Sequence, residues 1–254
     1  MENEEILAFI NSYATTAFRD FADQDYISAR IAYRNEFDQQ FRWNALQAVE
    51  KYLKAILLYN GCSAKEIGHK VSRALQRVRD ISELDFDIPK DVEEFIEYLN
   101  NYCDDRYLSY PTYLPKGALI TLDKTIWHIR RYCFFMRGEF RSGGKNIVLL
   151  IEVNKRSIAN SLYEKFPNKY RIFGGYLEKT LDKKLPAYNS LVWKNFYFGK
   201  KRKHKISIKD RFSMVNPEHF LFPECFKELN KFIDFPKEIV KQFSSSTSSK
   251  IATR

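Results

Sequence analysis

The sequence predicts a mainly α-helical protein, with an N-terminal antiparallel helical bundle followed by a small, basic α+β domain. Three observations carry this expectation. Apolar residues recur at helical spacing through most of the first 140 residues, with short connections between the runs. The texture changes at Arg141–Asn146, where Ser142-Gly143-Gly144 breaks the chain ahead of a β-branched run. Charge divides at the same place. Residues 1–140 carry 18 Lys/Arg against 22 Asp/Glu, a net −4, while residues 141–254 carry 24 against 10, a net +14. The expected division is a bundle over 1–140, a basic domain over 141–243 and a disordered, Ser-rich tail over 244–254.

Each element has its own reason. Asp20–Asn35 places Phe21, Tyr26, Ile27, Ile31 and Ala32 along one apolar side of a helix. A second helix runs from Phe41 to Tyr59, and Gly61 is a natural stop just beyond it. A third begins near His69 and carries Val71, Leu75 and Val78; a fourth covers Val92 to Tyr102. Pro111, Pro115 and Gly117 mark a loop, after which a long helix is expected from Ala118 to Met136. Beyond the break, Asn146–Val153 reads equally as a short strand or a buried helical segment. Helices are expected over Arg156–Glu164 and Gly175–Leu181, and a hairpin over Trp193–Ile208 turning at Gly199-Lys200.

Composition excludes several classes. Aromatic residues make up 16% of the chain, ample for a packed interior. The start, MENEEILAFI, has neither the basic opening nor the apolar run of a secretory signal, and no stretch reaches the ~20 apolar residues of a membrane span. The expectation is a cytoplasmic protein without a membrane partner. Cys62, Cys103, Cys133 and Cys225 lie far apart, which fits reduced thiols better than a disulfide framework or a zinc site. No phosphate-binding loop, dinucleotide fingerprint, H-E-x-x-H or nucleophile elbow occurs, so no cofactor, metal or catalytic residue is assigned.

The most organised passage is FRWNALQAVEKYLKAILLYNG, Phe41–Gly61. Leu46, Val49, Leu53, Ile56 and Leu57 form one stripe, and Ala45, Ala48, Tyr52, Ala55 and Tyr59 form a second beside it. A helix covered on two sides is a central member of a bundle. Gln47, Glu50, Lys51 and Lys54 fall on the remaining strip, which the pattern alone reads as solvated, with a Glu50–Lys54 pair contributing about 0.3–0.5 kcal/mol.

The letters add to the pattern. Gln47-Ala48-x-Glu50-Lys51-x-Leu53-Lys54 resembles the signature helix of the HEPN family, helical domains that bind nucleotides or cleave RNA. An upstream Asp-x-x-x-Ala-Arg over Asp25–Arg30, His69 ahead of the next helix, and Arg106-Tyr107 after the one following agree in order. The resemblance covers about residues 15–137 and implies four or five antiparallel helices, often paired as a dimer. It also implies, as a partner, a minimal nucleotidyltransferase in a toxin–antitoxin or defence setting. Ribonuclease members carry Arg followed four to six residues later by His, a pair suited to moving a proton beside a stabilised phosphorane charge. None of His69, His128, His204 and His219 has an Arg at that spacing, so the resemblance implies a non-cleaving member. His128 with Arg131, one turn apart in reversed order, is the nearest substitute and keeps an unconventional ribonuclease open as an alternative.

The second half supplies the candidate interface. From Lys183 to Lys209 there are nine Lys/Arg and no acidic residue. Lys200, Lys201, Arg202, Lys203 and Lys205 are the expected phosphate contacts, with Tyr197 or Phe198 stacking on a base and Arg106 adding a phosphate contact from the bundle. The expected partner is nucleic acid, RNA ahead of DNA. Three other readings stand beside it. The aromatics form a domain core, KKRKHK is a nuclear localisation signal, or the basic run docks on the acidic segment Asp80–Glu94 of the same chain.

Overall fold

The computed structural model describes residues 3–103, 108–134, 139–142, 146–199, 205–207 and 211–246. Its first half is the expected bundle. Helix α1 (Asn3–Tyr13) passes through a π-helical turn, Ala14–Arg19, into α2 (Asp20–Arg34). Then come α3 (Asp38–Tyr59), α4 (Val71–Arg79), α5 (Lys90–Tyr102) and α6 (Ala118–Arg130). Helix α3 is the central member and packs against α2, α4, α5 and α6. Both of its stripes are buried, from Ala45 and Leu46 through Tyr59. It ends in a Schellman arrangement, with Cys62 N–H donating to Leu57 O (2.8 Å) and Gly61 N–H to Leu58 O (3.0 Å). Gly61 has φ of 69°, a left-handed value that a residue with a Cβ adopts only at a cost.

The structure departs from expectation at the end of the bundle and in the second half. Asn146–Leu149 is a strand and Leu150–Ile158 a helix, so the two readings of that run each hold for part of it. The strand pairs antiparallel with Glu139–Ser142, and a second pair joins Thr112–Leu114 to Ser213–Val215. Helix α6 stops at Arg130, short of Met136. The hairpin over Trp193–Ile208 is absent among the described residues. Trp193-Lys194 is a turn and Phe196–Gly199 a series of bends, because Asn195 takes over the hydrogen bonding that a strand would have supplied. The tail is helical to Ser246, where Lys237–Ser246 carries Ile239 and Phe243 into a small core; its remainder lies outside the described residues.

The chain break at Ser142-Gly144 is not a break in the core. Helices α7 (Leu150–Ile158) and α8 (Ser161–Lys165) precede α9 (Tyr176–Lys183) and α10 (Tyr188–Val192); the last two lie against α2, and Leu177, Leu181, Leu191 and Phe198 belong to the same buried cluster as the bundle. Polar anchors reinforce the join. Arg30 pairs with Asp123 and donates to the carbonyls of Ser190 and Trp193, while Tyr26 donates its hydroxyl to Asp123 at 2.6 Å. Among the described residues, only Pro217–Ser246 gathers a core of its own, where Phe220, Phe226, Phe235 and Phe243 ring the buried His219.

Candidate nucleic-acid interface

The interface is built from the segment that α2 holds down. After α10 the chain turns at Trp193-Lys194, where Lys194 has φ of 48°. Asn195 is buried and fully engaged. Its Oδ1 accepts from the N–H groups of Tyr197 and Phe198, each at 2.9 Å, and its Nδ2 donates to Tyr26 Oη (2.8 Å) and Leu191 O (3.0 Å). This is an Asx-type turn pinned to the bundle. It curls the backbone inward and fixes the chain immediately ahead of the KKRKHK run.

That turn decides the fate of the two aromatic candidates. Phe198 is 7% exposed, with its ring 5.4 Å from Tyr26, so it is a core residue and does not stack on a base. Tyr197 is half-buried, with its ring 5.8 Å from Trp127, and burial pushes its hydroxyl pKa up to about 12. Its hydroxyl stays neutral at physiological pH, and part of its ring remains open to contact. A better platform is Trp193, which the sequence expectation assigned to the core. Trp193 is half-buried and carries Arg34 Cζ and Lys194 Nζ, each 5.4 Å from its ring centroid. An indole flanked by two cations has the chemistry of single-strand binding, a π-face beside phosphate-attracting charge.

Of the expected phosphate contacts, Lys205 is exposed. Lys200, Lys201, Arg202, Lys203 and Arg106 lie outside the described residues. Lys183 and Lys184, earlier in the same acid-free segment, are also exposed. The described part therefore leads a line of cations from the end of α9, past Trp193, to the point where the densest basic run begins.

The strip of α3 expected to be wet is only half-exposed at Gln47, Lys51 and Lys54, and Glu50 within it is buried. Glu50 is 3% exposed and accepts from Lys54 Nζ at 2.6 Å, and its other oxygen meets His69 Nδ1 at 3.1 Å. Lys54 also donates to Gly68 O (2.8 Å), and Lys51 pairs with Asp25. These polar residues clamp α3 to the loop ahead of α4 and to α2. Beside a carboxylate, Nδ1 of His69 is the protonated nitrogen, which leaves Nε2 on a side chain that is 59% exposed.

The other histidine candidate behaves differently. His128 and Arg131 line a cavity of about 380 Å³ with Ile88, Tyr132, Lys155 and Ile158. Arg131 Nη2 donates to His128 Nδ1 at 3.1 Å, so the imidazole is the neutral Nε2–H tautomer. Burial, together with the charges of Arg131 and Lys124, lowers its pKa to about 3. A histidine that protonates only near pH 3 and whose Nδ1 is occupied is a poor base and a poor acid at neutral pH. The exposed carboxylates of Asp85, Asp87 and Glu164 also line this cavity and repel a phosphate chain. Among the described residues no group of three or more His, Cys, Asp or Glu side chains is placed to hold a metal ion. Nor is any helix among them long and apolar enough to cross a membrane. The four cysteines are free, and burial pushes the thiols of Cys103 and Cys133 up to about 12.

Comparison with known proteins agrees with this geometry in one region. Residues 16–124 match the family model of the HEPN domain. The match includes α2–α5, Glu50 and His69, and ends before His128 and the basic segment. No curated protein matches the chain, and no solved structure does.

Proposed function

Residues 16–124 of this chain are a HEPN domain, and from that premise we propose that the protein binds nucleic acid, RNA ahead of DNA, without cleaving it. The observation that carries the reading is the acid-free segment Lys183–Lys209. Its described part holds exposed lysines and a cation-flanked Trp193, anchored on the bundle by Asn195. Cations neutralise successive phosphates and a half-open indole stacks on an unpaired base. The absence of an Arg–His pair at the ribonuclease spacing, and the neutral His128, support a binding role over an active site.

The test is incubation of the full chain with labelled single-stranded RNA at two salt concentrations, reading binding and integrity together. The RNA is expected to bind, to be released by salt and to remain intact. Each phosphate contact on a single strand contributes about 0.7 to the log–log salt slope, roughly fivefold in affinity between 0.1 and 1 M salt. The double variant Lys201→Glu, Arg202→Glu should therefore bind about 25-fold more weakly at 0.1 M salt and lose about 1.4 from the slope. Cleavage abolished by His128→Gln would replace this reading with the ribonuclease.

A second reading, a protein partner such as a nucleotidyltransferase or a second copy of the chain in a toxin–antitoxin or defence setting, draws on one observation. Ile6, Phe9 and Tyr13 form an exposed apolar stripe at helical spacing along α1, and Phe21 follows on α2. On this reading Phe9→Glu shifts the protein to a smaller species in light scattering without altering its helical circular dichroism. An unchanged mass leaves the stripe unassigned to self-association.

A further inference from the structure

The acidic half of the chain contains a concentrated basic surface. Between Glu50 and Asp80 the sequence holds seven Lys/Arg (Lys51, Lys54, Lys65, Lys70, Arg73, Arg77 and Arg79) and one acid, Glu66. Three of the seven have carboxylate partners: Lys51 with Asp25, Lys54 with Glu50 and Arg79 with Glu93. Lys65, Lys70 and Arg73 are exposed and Arg77 is half-buried, and none of the four forms an ion pair among the described residues.

These four cations are held on an ordered backbone. Arg73 Nη1 donates to Glu66 O (2.8 Å), and Arg77 Nη1 donates to Ser63 O (3.1 Å) and Lys65 O (2.7 Å). Lys54 closes the same loop on Gly68 O. Each guanidinium thus spends one nitrogen on carbonyls and keeps its full charge and its other donors for an outside acceptor. His69, set by the buried Glu50 carboxylate, adds an exposed imidazole nitrogen within the loop.

We infer that the loop 61–70 and α4 form a second phosphate-binding surface, on which Lys65, Lys70, Arg73 and Arg77 contact the backbone of the same bound strand. The inference rests on the nucleic-acid reading above. It concerns a different flank, because α4 packs on α3 and α5 whereas the Lys183–Gly199 segment reaches the bundle through α2. A protein partner fits the surface less well. Protein interfaces concentrate their energy in buried aromatic and apolar anchors, and none of the exposed large apolar side chains falls between residues 51 and 80. Charge without apolar anchors suits a polyanion, which is bound through counterion release.

The test uses the full chain and the same labelled single-stranded RNA, read by fluorescence anisotropy across salt. Lys65 and Lys70 are the residues to change, since their side chains hold no part of the loop: the double variant is Lys65→Glu, Lys70→Glu. Lys227→Glu, Lys237→Glu makes the same charge change at exposed positions near the C-terminus. The expected result is an affinity loss of about 25-fold at 0.1 M salt with about 1.4 removed from the slope, and little change in the control pair. Equal binding by wild type and the Lys65/Lys70 variant overturns the second surface and leaves the first standing. Equal losses in the two pairs also overturn it, by reducing the effect to net charge. If wild type itself fails to bind, both readings fall together.

Discussion

Replacing Arg130 with methionine is expected to destabilise the fold by about 3–5 kcal/mol, the largest effect of any single substitution considered for this chain. Arg130 is 2% exposed at the end of α6. Its Nε and Nη2 donate to the two oxygens of Asp23 at 2.8 and 2.9 Å, and Nη1 and Nη2 donate to those of Glu178 at 2.8 and 2.7 Å. Asp23 also accepts from Tyr52 Oη and from Leu177 N–H (3.2 Å), and Glu178 accepts from Ile172 N–H (2.9 Å). One guanidinium therefore ion-pairs with two buried carboxylates and joins α2, α6 and α9. Methionine fills similar space but leaves two like charges facing each other away from water. The loss is read as a fall in urea midpoint at pH 7.

The sign of the pH dependence distinguishes this mechanism from a simple packing defect. In the wild type, burial alone would raise the Glu178 carboxyl, but Arg130 and the Ile172 N–H outweigh it and hold it below its ordinary value. A depressed carboxyl contributes stability above its unfolded pKa, lost as pH falls through the folded one. In Arg130→Met the Glu178 carboxyl loses its cation and the Asp23 carboxyl, which burial already raises in the wild type, is raised further, so the folded state binds protons more readily than the unfolded. That variant should therefore recover part of its deficit between pH 7 and pH 5, and adding Asp23→Asn should recover more at pH 7. A deficit that stays constant with pH would attribute the loss to packing.

This network shows what the sequence hides. The helices of the bundle are legible because each records its own burial in a repeating pattern. Leu46 to Leu57 and Ala45 to Tyr59 mark two sides of α3 without reference to any other segment. Asp23 gives no such signal and reads as an ordinary polar residue of α2, yet it is fully buried. Its partner Arg130 lies 107 positions away, and no local period reports a contact at that distance. Glu50 is hidden for the same reason. Its spacing announces the Lys54 pair, but its burial depends on the loop carrying His69, 19 residues later.

The candidate interface is legible in charge and illegible in shape. Nine cations without an acid identify the segment, because net charge needs no fold to be counted. Alternation around Gly199 suggests a hairpin that projects the cationic cluster outward, with the aromatics just upstream of it. Asn195 separates them instead, sending Phe198 into the core and leaving Trp193 beside Arg34 and Lys194. Similarly, the change of texture at Ser142-Gly143-Gly144 carries no information about which residues share a core. The strand, helix and turn that follow bring Leu177, Leu191 and Phe198 back to α2. The described part of the acid-free segment is in this way tied to the helical bundle.

His128 supplies the second large effect, a loss of stability on mild acidification. The ring accepts from Arg131 at Nδ1, lies edge-on to Trp127 at 4.9 Å, and is shielded from water at the end of α6. Protonating it would place a third charge beside Arg131 and Lys124, which is why its pKa falls to about 3. The unfolded chain has no such restraint and takes up a proton near pH 6.5. Because the unfolded state binds the proton first, stability contributed by this group is complete above about pH 6.5 and drains away as pH falls toward 3. Between pH 7 and pH 5 the loss amounts to about 1–2 kcal/mol. His128→Gln keeps an acceptor for Arg131 and does not titrate, so its urea midpoint should vary less over that interval than that of the wild type. A variant that follows the wild-type pH profile would show that His128 protonates in the folded protein near its ordinary value. The imidazole would then regain an acid–base role, and the case for a non-cleaving protein would lose one of its two supports, leaving only the missing Arg–His spacing.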